Sequence, residues 1–189
     1  MEYDPSLVID DFDTVYPVSE DSIFLIRSLN VGSEKVLEIG CGSGVVSLHC
    51  ARNGCSVVSV DINPNAVAAA AHNATRNGVE LDVRESDVYS NVTERFDLII
   101  FNLPYLPEND EGLEAKAWSG GPDGMGPLPK VLNGLEEHLT ENGRLVIVVS
   151  SLMEQLALRA LLEGYVVNCL GTLPLFFEQL SVLEIRALS

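Results

Sequence analysis

The chain has 189 residues, 47% of them hydrophobic, enough for one domain with a sizeable core, and its apolar runs are too short to span a membrane. The acidic N-terminus MEYDPSLVIDD excludes a secretory leader, so a cytoplasmic protein is expected. A formal charge of -17, with Lys35, Lys116 and Lys130 the sole lysines, argues against sequence-independent binding of DNA or RNA and matches the acidic surface of a protein adapted to high salt.

In chain order, Ser19 with Glu20 and Asp21 opens a helix that runs to about residue 30, with acids where the helix dipole favours them. KVLEIG (35–40), SVVSVD (56–61), LDVRES (81–86), FDLIIFN (96–102) and RLVIVVS (144–150) read as strands. SGVVSLHCARNG (43–54) and NPNAVAAAAHNATRNG (63–78) read as the helices between the first three; the second has Asn63 as N-cap, Pro64 at the first position and Gly78 as its stop. YVVNCLGTLPL (165–175) and QLSVLEIRAL (179–188) follow too closely for a crossover helix and are expected to pair antiparallel. The expectation is one α/β domain, residues 1–189, with a seven-stranded, mostly parallel sheet and an antiparallel terminal hairpin. Residues 103–127 form a long aperiodic loop carrying Trp118 beside Gly120 and Gly121, read as an ordered wall on the substrate side. Cys41, Cys50, Cys55 and Cys169 lack ligand spacing and read as reduced core residues, and no metal site is implied.

The residues with chemistry cluster at the strand ends. Glu38-Ile39-Gly40-Cys41-Gly42-Ser43-Gly44 is a GxGxG turn directly after the first strand, where glycine lets backbone approach a ligand. A dinucleotide fingerprint wants glycine where Val45 stands, so NAD is disfavoured. The acid Glu38 suits a ligand with cationic character, such as the amino group and sulfonium of S-adenosylmethionine. Asp61 closes the second strand and is placed for ribose hydroxyls; Asp87 follows the third and is placed for an adenine amino group, with the backbone of Val88 against the ring.

The fourth strand ends in Asn102-Leu103-Pro104-Tyr105. A planar amide or aryl amine is a weak nucleophile because its lone pair is delocalised. Two acceptors on its hydrogens, the Asn102 side-chain oxygen and the carbonyl of Leu103, draw the nitrogen towards tetrahedral geometry. Pro104 restricts where that carbonyl points, and Tyr105 can stack on the planar group.

These motifs resemble class I S-adenosylmethionine-dependent methyltransferases with a Rossmann-like fold. With Val15-Tyr16-Pro17-Val18-Ser19-Glu20-Asp21-Ser22, Asp61-Ile62-Asn63-Pro64, Ala117-Trp118-Ser119-Gly120-Gly121 and Leu180-Ser181-Val182-Leu183, the chain more closely resembles the archaeal and eukaryotic release-factor branch of HemK-like protein-glutamine N5-methyltransferases. The resemblance implies methylation of the glutamine in the Gly-Gly-Gln motif of a class 1 release factor. It also implies a small zinc-binding activator that adds a strand near LDVRES, as a heterodimer. It places Asp21, Ser22, Glu38, Gly40, Gly42, Gly44, Asp61, Asp87, Val88 and Asn102 on the cofactor, and Asn102, Leu103, Pro104 and Tyr105 on the reacting amide. Two positions depart from the family: Leu103 stands where proline is usual, and Pro17 sits one residue early, which leaves Tyr16 and Pro17 outside the site set. Alternatives from other classes are adenine N6 or guanine N2 of nucleic acid, a protein lysine, or an inactive cofactor-holding scaffold.

Overall fold

A computed structural model describes residues 1–104 and 124–188. After helix α1 (Glu20–Ser28), strands and helices alternate as β1 (Lys35–Ile39), α2 (Val45–Arg52), β2 (Ser56–Asp61), α3 (Pro64–Arg76), β3 (Asp82–Glu85) and β4 (Phe96–Asn102). Two short helices, α4 (Leu128–Asn133) and α5 (Leu135–His138), precede β5 (Leu139–Ser150); α6 (Gln155–Leu161) leads to the hairpin β6 (Tyr165–Pro174) and β7 (Gln179–Ala187). The sheet order is β3-β2-β1-β4-β5-β7-β6, with β1 to β5 parallel and β7 antiparallel to both neighbours. The strand order reverses between β1 and β4, which leaves a crevice at their carboxyl ends.

The central strands are core-grade because layers cover both faces. Leu37 in β1, Leu98, Ile99 and Ile100 in β4, and Leu145 and Ile147 in β5 are fully buried. Asn63 caps α3, its side chain accepting from Asn65 N at 3.0 Å with Pro64 in the first turn, and α3 turns Ala66, Ala69, Ala70 and Ala74 inward. That small-residue face meets the GxGxG turn. Gly44, at φ +80, sits where a Cβ would lie 3.0 Å from the Ala70 methyl, so glycine is needed for both backbone conformation and space.

Several expectations are revised. Ser19 holds the N-cap position of α1, but its hydroxyl makes no capping bond and lies against Asp21 and the Tyr16 hydroxyl instead. Strand β5 begins at Leu139, earlier than expected, because Leu139 pairs with Phe96 across a register irregularity. Helices α4, α5 and α6 are too short to impose a readable period. Cys41, Cys50 and Cys55 are buried, but Cys169 is exposed, because it lies on β6, an edge strand of the sheet that is largely uncovered. The loop expectation for Trp118, Gly120 and Gly121 lies outside the described residues. Among the described residues, no helix is long and apolar enough to cross a membrane.

Candidate active site

A cleft opens at the carboxyl ends of β1 and β4. The end of β1 supplies Glu38 and the turn after it Gly40, Cys41 and Gly42; the end of β4 supplies Asn102, Leu103 and Pro104; Tyr16 and Pro17, before α1, and Asp21 and Ser22, in its first turn, close it. The first two groups meet because β1 and β4 are neighbours, with Glu38 level with Ile100 and Ile39 with Phe101. The turn itself is tied to β2 by Cys41 N donating to Val60 O at 3.0 Å.

Asn102 is the focus of the cleft. Its Nδ2 donates to Asp21 Oδ2 at 3.0 Å, while its Oδ1 is, among the described residues, the one buried side-chain polar atom without a hydrogen-bond partner. Native proteins leave few such atoms, and each asks for a reason. Asp21 is itself buried and fixed: its Oδ1 accepts from Ser22 N at 2.7 Å and from the Ser19 hydroxyl. A carboxylate only accepts, so the Asn102 amide must turn its NH₂ towards Asp21 and its oxygen away from it. Tyr16 stands beside this group, and burial, followed by the Asp21 charge, raises its hydroxyl pKa.

Glu38 is buried, and its Oε2 accepts from Ser47 N at 2.8 Å and from the Ser47 hydroxyl. Ser47 Oγ lies 2.6 Å from Ser59 Oγ. Burial pushes the Glu38 carboxyl up to about 8, against the opposing effect of the Ser47 bonds. Asp61 is also raised by burial, although Gly42 N at 3.0 Å and Asn63 N at 2.9 Å both donate to it. Asp61 therefore braces the glycine turn against β2 and stands directly behind the cleft wall.

Leu103 is buried in the main hydrophobic core, so packing holds it where a proline ring is otherwise usual. Beyond β3, Asp87 and Val88 stand apart from the residues that line the cleft. Asp87 pairs with Lys130 at 2.7 Å, and Val88 is buried with φ 57, a left-handed conformation that is costly for a β-branched residue. Ser86 Oγ holds this turn by donating to Val88 O at 2.9 Å. Gly44 packs on Ala70 rather than lining the cleft, and Tyr105 lies outside the described residues.

Three features escaped sequence reasoning. Tyr16 and Pro17 line the cleft despite the shifted proline; Asp21 grips Asn102 across 81 residues; Ser47 and Ser59 support Glu38. Neither serine carries a spacing signal, because each is simply a small residue on a buried face.

The family model described as methyltransferase small domain matches residues 18–170. The chain is 41% identical over 178 residues to a candidate protein N5-glutamine methyltransferase of Methanocaldococcus jannaschii, covering 90% of each. The chain belongs to the HemK-like branch of this methyltransferase family. A release factor glutamine methyltransferase of Lactococcus lactis is 32% identical over 145 residues, 70% of this chain and 54% of that protein. Among solved structures, the E. cuniculi Mtq2-Trm112 complex responsible for methylation of the eRF1 translation termination factor aligns with TM-score 0.75 at 20% identity, over 92% of this chain and 99% of that one. The HemK-like chain is thus a methyltransferase with the class I Rossmann-like fold.

Proposed function

We propose that the protein transfers a methyl group to the side-chain nitrogen of a protein glutamine, the one in the Gly-Gly-Gln motif of a class 1 termination factor. The observation that carries this is Asn102 Oδ1, buried and unpartnered on a side chain that lines the cleft and whose NH₂ is held by Asp21. An orphan acceptor there is complete only when an N–H arrives, and a carboxamide brings two.

The residues fit the donor as well. Glu38 offers a buried carboxyl to a cationic group, Gly40 and Gly42 let the backbone approach closely, and Asp61 stands behind them for ribose hydroxyls. The strained turn at Val88 is the kind of backbone outlier found where a loop is shaped for a ligand, here an adenine ring. Bound S-adenosylmethionine supplies an electrophilic methyl on its sulfonium. The chain's own part is positional: Asn102 Oδ1 and the Leu103 carbonyl accept from the two amide hydrogens, loosen the nitrogen lone pair from resonance, and hold it in line. The nitrogen becomes acidic as it is alkylated, so no dedicated base is needed.

The names of the similar proteins from M. jannaschii and L. lactis and the eRF1 context of the E. cuniculi complex support the substrate, and that complex supports a small activator partner. The test is transfer of labelled methyl to a class 1 termination factor in the presence of such an activator, with mass spectrometry of the Gly-Gly-Gln peptide. Asn102→Ala is expected to lower turnover by roughly 10² to 10³-fold while cofactor affinity stays near normal. Normal turnover by that variant would refute the mechanism.

A further inference from the structure

The two most exposed large apolar side chains among the described residues are adjacent: Phe176 at 91% and Phe177 at 86%. They form the tip of the β6–β7 turn, their rings edge-to-face at 4.6 Å. Together they present roughly 300–400 Å² of apolar surface, the size of patch that on a single-chain protein tends to be functional.

The tip is rigidly mounted. Leu175 N donates to Glu178 O at 2.8 Å, Ser151 N to Gln179 O at 2.9 Å and Gln179 N to Ser151 Oγ at 2.9 Å, while the Ser150 hydroxyl donates to Glu178. The same Ser150 Oγ accepts from the backbone N of half-exposed Leu152 at 3.1 Å. Glu178 is turned back onto Ser150, so the charge in the turn is spent on the mounting.

Its location relates it to the cleft. Asn102 is level with Val148, while Ser150 is level with Leu180 and Gln179 with Pro174, so the turn rises from the same sheet edge as Asn102. Two strand spacings and two residues of rise put its base on the order of 12 Å from Asn102. An extended chain covers that span in about four residues. The Glu178 charge also reaches Tyr16 on the cleft wall.

We propose that Phe176 and Phe177 dock the protein substrate, gripping an apolar side chain several residues along the chain from the reacting amide. This deepens the reading of the cleft given above and rests on it. A polypeptide is the occupant the chemistry favours: a chain of charge -17 repels a phosphate backbone, and it repels a second copy of itself. Apolar contact beside the site is then the available source of substrate affinity.

The experiment compares wild type with Phe176→Ala/Phe177→Ala, activator present, on full-length termination factor. The expected result is a KM for the factor raised at least tenfold, with kcat, the cofactor dissociation constant and the melting temperature close to wild type. A KM within twofold of wild type overturns the docking role while leaving the substrate reading intact. A matching loss of cofactor affinity assigns the turn to the cofactor site instead. A wild-type dimer that the variant loses assigns the pair to self-association, and label entering nucleic acid that the variant loses assigns it to base stacking; either overturns the proposal. If wild type methylates no Gly-Gly-Gln protein, the substrate reading fails and the docking proposal falls with it.

Discussion

Asp21 accepts hydrogen bonds and donates none, and this decides the orientation of Asn102, 3.0 Å away. Asp21→Asn should therefore release the constraint, since an amide at 21 can offer either oxygen or NH₂ to Asn102 and lets it flip. Loss of one such buried bond costs about 1–3 kcal/mol, so kcat should fall about 5- to 150-fold with the cofactor dissociation constant little changed. If Asp21 acts on the cofactor directly, that constant will rise and kcat at saturation will hold. Glu38 makes a separate prediction through pH. Its carboxyl sits at about 8 in the folded protein against 4.5 ordinarily, so between those values the folded state keeps a proton that the unfolded chain has released. Its contribution to stability is full below about 4.5 and is lost as pH rises through about 8; Asp61, also raised, acts in the same sense. Urea unfolding of wild type and Glu38→Gln without cofactor should show the difference between them moving against wild type from about pH 5 to 8 and flat above. A pH-independent difference would show that Ser47 keeps Glu38 ionised.

At the scale of elements, what was legible followed from how strongly a local pattern constrains the backbone. β4 announces itself by a run of buried apolar residues ending in Asn-Leu-Pro, and α3 by a capped, alanine-faced repeat with Pro64 at its start. The antiparallel hairpin followed from the short link between two strand-like runs. Helices α4 to α6 have six, four and seven residues, at most about two turns, and an apolar period cannot be established in that length. The site divides in the same way. Glycines and acids at strand ends carry positional meaning in the sequence, so Glu38, Gly40, Gly42 and Asn102 could be named from it. The Asp21–Asn102 bond is created when α1 packs over the end of β4, and nothing local to either residue records it. Leu103 shows the converse: proline's restraint is absent from the sequence, and core packing, visible only in the fold, stands in its place.

For the molecule as a whole, charge is the dominant unspent term. With 28 acidic and 11 basic residues, pairing every base still leaves 17 acids unpaired. Ion pairs such as Arg84 with Asp82 and Glu94, and Arg144 with Glu34 and Glu184, relieve this locally, and added salt weakens them. The unpaired acids repel one another in the compact state, and salt weakens that repulsion too. The excess decides the sign: the melting temperature should rise by several degrees as KCl goes from about 0.1 M to 1 M, where the Debye length falls from roughly 10 Å to 3 Å. Screening is nearly complete at that point, so the rise should flatten beyond it, whereas stabilisation by exclusion of a kosmotropic solute continues to grow with concentration. A thermal melt series in KCl, with sucrose as the uncharged comparison, separates the two. A melting temperature that falls with salt would mean that the arginine-centred pairs outweigh the repulsion of the remaining acids.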